Sequence, residues 1–341
     1  MSNSFVGARI LITGGTGSFG EFAISRFLED EPEQIVVYSR DEYKQFNLQR
    51  KYAGDKRLHF VLGDVRDEAR LTDALVGVDV VIHAAAMKQV PACEMNPSEA
   101  ILTNVLGAHN VVRSCLRSDV SSAINLSPDK ATMPGGVYGA TKLLSERVFS
   151  HGGISQASNL RAASIRYSNV LGTRGSVVEV FEQRLRDGFP LVVFDPRMIR
   201  LVLTQDQVVD LACYAFDTML GGEVFIKDSP ALRIVDLAQA MVDVFGSGEV
   251  IVKDQDVRAG EKYDAYLLSA SEAENTLMTQ DGYFVILPSL SNSQRDIYTT
   301  HYQQAKAVAV QDYGSSTARL LSKDDIVKMI GGIVQDRTSF D

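Results

Sequence analysis

The chain has 341 residues, 45% hydrophobic and 23% charged, an ordinary globular composition with room for one large domain and a smaller one. Its net charge of -9 argues against a nucleic-acid partner, and no window approaches the roughly 18 apolar residues of a membrane span. Three cysteines (Cys93, Cys115, Cys213) lack CxxC spacing and read as reduced, packed thiols, and no metal site is expected.

The N-terminus, MSNSFVGARILITGG, has one basic residue and a short apolar run ending in glycines. It reads as a first strand and not a signal peptide, so the expected location is cytoplasmic. Strands are expected at Arg9–Thr13, Ile35–Ser39, Leu58–Leu62, Val78–Ala84, Ala123–Ser127 and Ala162–Tyr167. Each is an apolar run without polar alternation, as parallel strands buried on both faces require. Helical spacing fills about 19–30, 41–53, 67–76, 97–117 and 137–150. This alternation predicts an α/β fold, a Rossmann-like doubly wound parallel sheet whose ligands bind beyond the C-terminal strand ends.

After about residue 170 the alternation loosens, with helices near 177–187, 205–219 and 232–245 and strands at Glu223–Ile226 and Gly248–Val252. Asp254–Thr300 reads as irregular and polar around a strand at Tyr283–Leu287, and Lys323–Gly331 as a short helix capped by Ser322. The expected division is a dinucleotide-binding domain over 1–170 with a returning segment near 201–230, and a smaller substrate domain from 171–200 and 231–341.

Four motifs carry chemistry. The run Thr13-Gly14-Gly15-Thr16-Gly17-Ser18-Phe19-Gly20 follows the first strand. Gly14, Gly17 and Gly20 allow a tight turn and close approach of backbone N–H groups to a pyrophosphate at the helix N-terminus. At the end of the second strand, Ser39 and Arg40 suit a ribose 2′-phosphate where an NAD site would present an acid, so NADP is expected over NAD. Asp41 reads as a helix cap, and Asp64 before Val65 as an adenine acceptor or a turn aspartate. His83 reads as structural, while Ala84, Ala85 and Ala86 let a cofactor pass against the backbone.

Tyr138 and Lys142 form Y-x-x-x-K, which shares one helix face. The ammonium is expected to lower the tyrosine pKa, making a base for a hydroxyl group while hydride leaves to the cofactor. Asp129-Lys130 at the fifth strand's tip pairs an acid with a base, which suits an elimination.

Together these residues resemble the extended short-chain dehydrogenases, and within them the inverting, C5-epimerising UDP-N-acetylglucosamine 4,6-dehydratases of bacterial glycan pathways. The likeness runs through ILITGGTGSFG, VYSRDE, GDVRD, IHAAAMKQVPACEMNP, TNVLGAHNV, LSPDKA, VYGATK, RYSNVLGTRGSV and RAGEK. It implies a tightly held NADP contacted by Gly14, Thr16, Gly17, Ser18, Phe19, Gly20, Ser39, Arg40, Asp64, Val65, Ala84, Ala85, Ala86, Lys88 and Asn104. Tyr138 and Lys142 would be the redox pair, Asp129 the acid for the C6 hydroxyl and Lys130 the base at C5. Lys88, Asn169, Arg174, Ser176, Arg200, Arg258 and Glu261 would line a UDP-linked sugar, with Arg174, Arg200 and Arg258 as candidates for its diphosphate.

Some relatives carry N-terminal membrane helices, and this chain resembles the soluble members. The resemblance also implies a homo-oligomer, dimer or higher, paired through helices at about 97–117 and 137–150. The family's usual Ser-Thr-Asp-Lys reads Ser127-Pro128-Asp129-Lys130 here, removing the threonine hydroxyl that meets the substrate O4, and Ser127 should point to the opposite face. Its R-Y-G-N reads Arg166-Tyr167-Ser168-Asn169, and its M-T-R-F-W reads Met198-Ile199-Arg200-Leu201-Val202. A nucleotide-sugar epimerase in the same fold remains the alternative.

Overall fold

The computed structural model describes residues 4–155, 159–253 and 263–338. Its first half alternates as the apolar runs dictate: β1 (Arg9–Thr13), α1 (Ser18–Glu29), β2 (Gln34–Ser39), α2 (Glu42–Lys51), β3 (Leu58–Leu62), α3 (Glu68–Ala74) and β4 (Val80–His83). There follow α4 (Val90–Met95), α5 (Pro97–Ala100), α6 (Gly107–Leu116), β5 (Ser122–Pro128), α7 (Val137–Gly153) and β6 (Arg161–Tyr167). Strand alternation sorts the core into two layers. Ile10, Ile12, Ile35, Val37 and Ile124 pack with Ala23, Ile24 and Phe27 of α1. Leu11, Val36, Tyr38, Val81 and Ala123 pack on the other face with Leu71, Val111 and Phe149 of α3, α6 and α7.

The second half contributes β7 (Asn169–Val170), α8 (Val177–Arg186), β8 (Leu191–Val193), β9 (Ile199–Leu203), α9 (Gln205–Thr218), β10 (Val224–Lys227), β11 (Ala231–Arg233), α10 (Ile234–Phe245) and β12 (Val250–Val252). The chain ends with β13 (Tyr266–Leu268), α11 (Ala270–Ala273), β14 (Thr276–Met278), β15 (Tyr283–Ile286), α12 (Asn292–His301), β16 (Lys306–Ala307), β17 (Tyr313–Gly314) and α13 (Lys323–Thr338). The main sheet has ten strands in the order β16-β14-β15-β10-β6-β5-β4-β1-β2-β3. It is parallel from β3 through β10, and β15, β14 and β16 add an antiparallel edge. The chain therefore returns to the sheet at β10 after leaving it at β6. A separate apolar cluster of Val178, Phe181, Leu237, Met241, Ile326 and Ile330 joins α8, α10 and α13.

Three expectations are corrected. The helix expected over 97–117 is broken by a π-helical turn, Ile101–Leu106, between α5 and α6. The described part of the stretch read as irregular, Asp254–Thr300, holds β13, α11, β14, β15 and α12. The last helix runs on through Gly331 and Gly332 to Thr338, with the Ser322 hydroxyl accepting from Asp325 N–H at its start, 3.2 Å.

Candidate active site

The first cleft opens at the C-terminal ends of β1, β2 and β4. Gly14 takes φ +64°, and its N–H donates to the Tyr38 carbonyl at 2.8 Å. A Cβ on Gly14 would lie 2.8 Å from the Ala85 backbone, so only glycine lets this loop touch the Ala84–Ala86 segment. Thr13 ties the two together: its hydroxyl accepts from Ala85 N–H at 3.3 Å and bonds His83 Nδ1 at 2.8 Å. Gly17 caps α1 with no side chain on the first helical N–H groups, which leaves the positive helix end free for an anion. The cleft, about 670 Å³, is lined by this loop, Ser39, Arg40, Asp64, Val65, the three alanines, Lys88 and Tyr138. This cradle fits a dinucleotide laid with its pyrophosphate over Gly14–Gly17.

At the adenosine end Ser39 is buried and its hydroxyl accepts from Gln45 Nε2 at 3.1 Å. The Arg40 side chain is 62% exposed and stands 3.7 Å from Asp64. Asp41 caps α2, accepting from Lys44 N–H at 3.0 Å, and pairs with the Lys44 ammonium at 3.1 Å. Burial pushes the Asp64 carboxyl up, but hydrogen bonds from Arg66 and the nearby Arg40 outweigh it and hold it below the usual range. Two cations, Arg40 and Lys44, thus stand at the end of β2, with Asp41 serving as a cap and Asp64 bonded to Arg66.

A cluster of polar side chains forms where β5 ends in a single 3₁₀ turn, Asp129–Ala131. Lys130 Nζ donates to Asp129 Oδ1 at 3.2 Å and to Asn169 Oδ1 at 3.4 Å. Asn169 Nδ2 donates in turn to Asp129 Oδ2 at 3.4 Å and to the Leu201 carbonyl at 3.0 Å. A Cβ on Gly139 would sit 2.2 Å from the Lys130 carbonyl, so that glycine brings α7 against the turn and sets Tyr138 beside Asp129. Glu94 holds the start of α7 by accepting from Val137 N–H at 2.7 Å.

Burial pushes the Tyr138 hydroxyl well above its ordinary range, with Tyr167 and then Asp129 adding to the shift. Burial also pushes the Lys142 ammonium down to about 8, against the pull of Glu146 one turn along α7. The expected lowering of the tyrosine by its lysine is therefore overridden: a site this dry penalises both charged forms.

A second cleft, about 580 Å³, shares Lys88, Asp129, Lys130, Tyr138 and Asn169 with the first and runs on past Ser176, Arg184, Phe194 and Arg200. The two clefts meet at the tyrosine and the acid–base pair. The Arg200 Nη1 donates to the carbonyls of Ile199 and Tyr263 at 2.9 Å each. The Ser176 hydroxyl is buried and without a partner.

Residues 10–287 match the model of the polysaccharide biosynthesis protein family. The chain belongs to that family. It is 41% identical over 289 residues, 84% of each chain, to a UDP-N-acetylglucosamine 4,6-dehydratase (inverting) of Campylobacter jejuni. It is 36% identical over 338 residues, 96% of each chain, to a UDP-glucose 4-epimerase of Rickettsia bellii. The X-ray structure of Pen from Bacillus thuringiensis superposes with TM-score 0.88 at 31% identity, covering 96% of this chain and 99% of that one. The dTDP-glucose 4,6-dehydratase DesIV of Streptomyces venezuelae, solved with NAD and TYD, shares the fold at TM-score 0.70 and 19% identity, covering 97% and 98%.

Most of the residues named from sequence converge on the two clefts. Two of those named, Asn104 and Lys142, line neither cleft, and Arg174 lines both. Asn104, in the π turn, spends its amide on Met87 N–H and carbonyl (2.8 and 3.0 Å) and on Thr141 (3.0 Å), so it braces the cleft wall from behind. Arg174 lies at the join of the clefts, but its guanidinium turns to the glycine loop, donating to the Thr16 carbonyl at 2.7 Å and Glu21 at 3.2 Å. Its carbonyl accepts from Lys88 Nζ at 2.9 Å. Arg258 and Glu261 lie outside the described residues. Lys44, Glu94 and Arg184 were missed, because each acts through a partner or wall that no local motif announces.

Proposed function

We propose that the chain is a nucleotide-sugar 4,6-dehydratase acting on UDP-N-acetylglucosamine or a close relative, with C4 oxidation, loss of water across C5 and C6, and inversion at C5. The observation that carries this reading is the Asp129–Lys130 pair, bonded at 3.2 Å and placed beside Tyr138 where the two clefts meet. A nicotinamide dinucleotide in the first cleft supplies hydride acceptance at C4 and hydride return to C6. Tyr138 takes the O4 proton. The elimination needs a base and an acid, roles we give to the Lys130 amine and the Asp129 carboxyl. The amine removes the C5 proton made acidic by the 4-ketone, the acid protonates the C6 hydroxyl so that water departs, and once hydride is back on C6 a proton adds to the opposite face of C5.

Arg40 and Lys44 at the end of β2 support NADP as the cofactor. The proposed division of labour gives 1–170 with the returning segment near 201–230 to the cofactor, and 171–200 with 231–341 to the nucleotide sugar. Among the described residues no helix is long and apolar enough to cross a membrane, and the three cysteines are buried and unpaired, which supports a cytoplasmic enzyme.

The test is mass spectrometry of UDP-N-acetylglucosamine after incubation with purified protein and no added cofactor. Loss of one water supports the reading. An unchanged mass with a shifted chromatographic peak replaces it with 4-epimerisation, which Pro128 and the full-length match to UDP-glucose 4-epimerases favour. An unchanged substrate sinks both.

A further inference from the structure

We propose that the Tyr167 hydroxyl is a second catalytic group of the reaction centre, donating to the same sugar oxygen that Tyr138 deprotonates. The inference rests on the nucleotide-sugar reading above. Tyr167 ends β6 and pairs in register with Pro128, the last residue of β5. Paired residues on neighbouring strands project from the same face of the sheet. Both line the first cleft with Tyr138 and Asp129. Ser127, one residue earlier, faces the other way and keeps a buried hydroxyl without a partner among the described residues. Proline brings neither a hydroxyl nor an N–H to this edge. Tyr167 therefore supplies the only side-chain hydroxyl of the register pair that closes β5 and β6.

Electrostatics places it close to the chemistry. After burial, Tyr167 is the strongest influence on the Tyr138 hydroxyl, and Asp129 acts on both phenols. Among the described residues no side-chain hydrogen bond engages either phenol. Both tyrosines are half-buried and line the cleft, so a ligand oxygen entering between the two phenols can bond both. As O4 loses its proton to Tyr138 and becomes a carbonyl oxygen, the Tyr167 O–H donates to it. That bond strengthens as charge gathers on O4, and it renders the C5 hydrogen more acidic. Such a group acts on turnover more than on binding.

The experiment compares the parent, Tyr167→Phe, Pro128→Thr and the double variant, each with its copurified cofactor, on UDP-N-acetylglucosamine. Tyr167→Phe keeps the ring, and an unchanged melting temperature checks its fold. The expected result is a kcat lower by about tenfold or more with KM within about twofold, and recovery in the double variant, where a hydroxyl at 128 stands in register with the lost one. A Tyr167→Phe variant at parental kcat overturns the inference while leaving the dehydratase reading intact. So does a loss that Pro128→Thr does not recover, since the ring would then be structural. A parent that leaves the sugar unchanged overturns the reading and this inference together.

Discussion

Lys142 sits 2% exposed with its ammonium held down to about 8 by burial, while the tyrosine it serves is pushed the other way. Holding a tyrosinate in this cleft needs the lysine cation. Activity should therefore fall as pH rises through about 8, the range in which Lys142 loses its proton. Lys142→Arg, which stays charged, should move that alkaline limb upward even if its kcat is lower; an unmoved limb would assign it to another group. Asp129→Asn keeps the size of the side chain but not the acid. It should still oxidise C4 yet lose water about 100-fold more slowly, and trapping the 4-keto sugar with borodeuteride before mass spectrometry would reveal it. Parental yield of the 6-deoxy product would remove Asp129 from its role. These residues were legible because the glycine loop, Asp129-Lys130 and Tyr138–Lys142 are each contiguous, so strand ends and helix spacing alone bring them together. The bonds of the Arg174 guanidinium to Thr16 and Glu21 were not legible, because those partners lie far away in the chain.

Among the elements, β6 is the hub. Arg166 near its end is fully buried, and its guanidinium grips Glu146 of α7 at 2.6 and 3.0 Å and Glu272 of α11 at 2.8 and 3.1 Å. A further bond at 2.9 Å reaches the Leu267 carbonyl of β13. One side chain thus joins the catalytic helix to the segment whose polar sequence shows no periodicity. β13, α11 and β14 there are three to four residues long, too short to print a pattern, and they gain order from charges paired across the fold. The π turn is hidden similarly, since its residues keep helical spacing. Replacing Arg166 by methionine strands two buried carboxylates and should cost about 3–5 kcal/mol, read from the urea midpoint. Adding Glu146→Gln and Glu272→Gln should restore most of that loss. A single variant within about 1 kcal/mol of the parent would mean that the charges are solvated and the hub is not what orders the segment.

For the molecule as a whole, α7 works on two fronts. One face carries Tyr138 into the cleft and buries Lys142, while Leu144 on the other is 51% exposed. The neighbouring π turn exposes Ile101, Leu102 and Leu106 at 47%, 38% and 46%, and Met95 of α4 reaches 81%. Single exposed apolar residues are ordinary, but these lie on helical segments that contact one another, and all stand exposed among the described residues. We propose that a second copy covers them, because a two-fold pairing sets the same residues against each other. The parent should sediment at twice its 37.3 kDa or more. Leu106→Glu with Leu144→Glu places four like charges in a two-fold interface and should give a monomer. Because the pairing face and the catalytic face share one helix, that monomer should also melt lower and turn over more slowly with its cofactor still bound. A parent that sediments as a monomer at micromolar concentration would remove the pairing, and the exposed leucines would then need another partner.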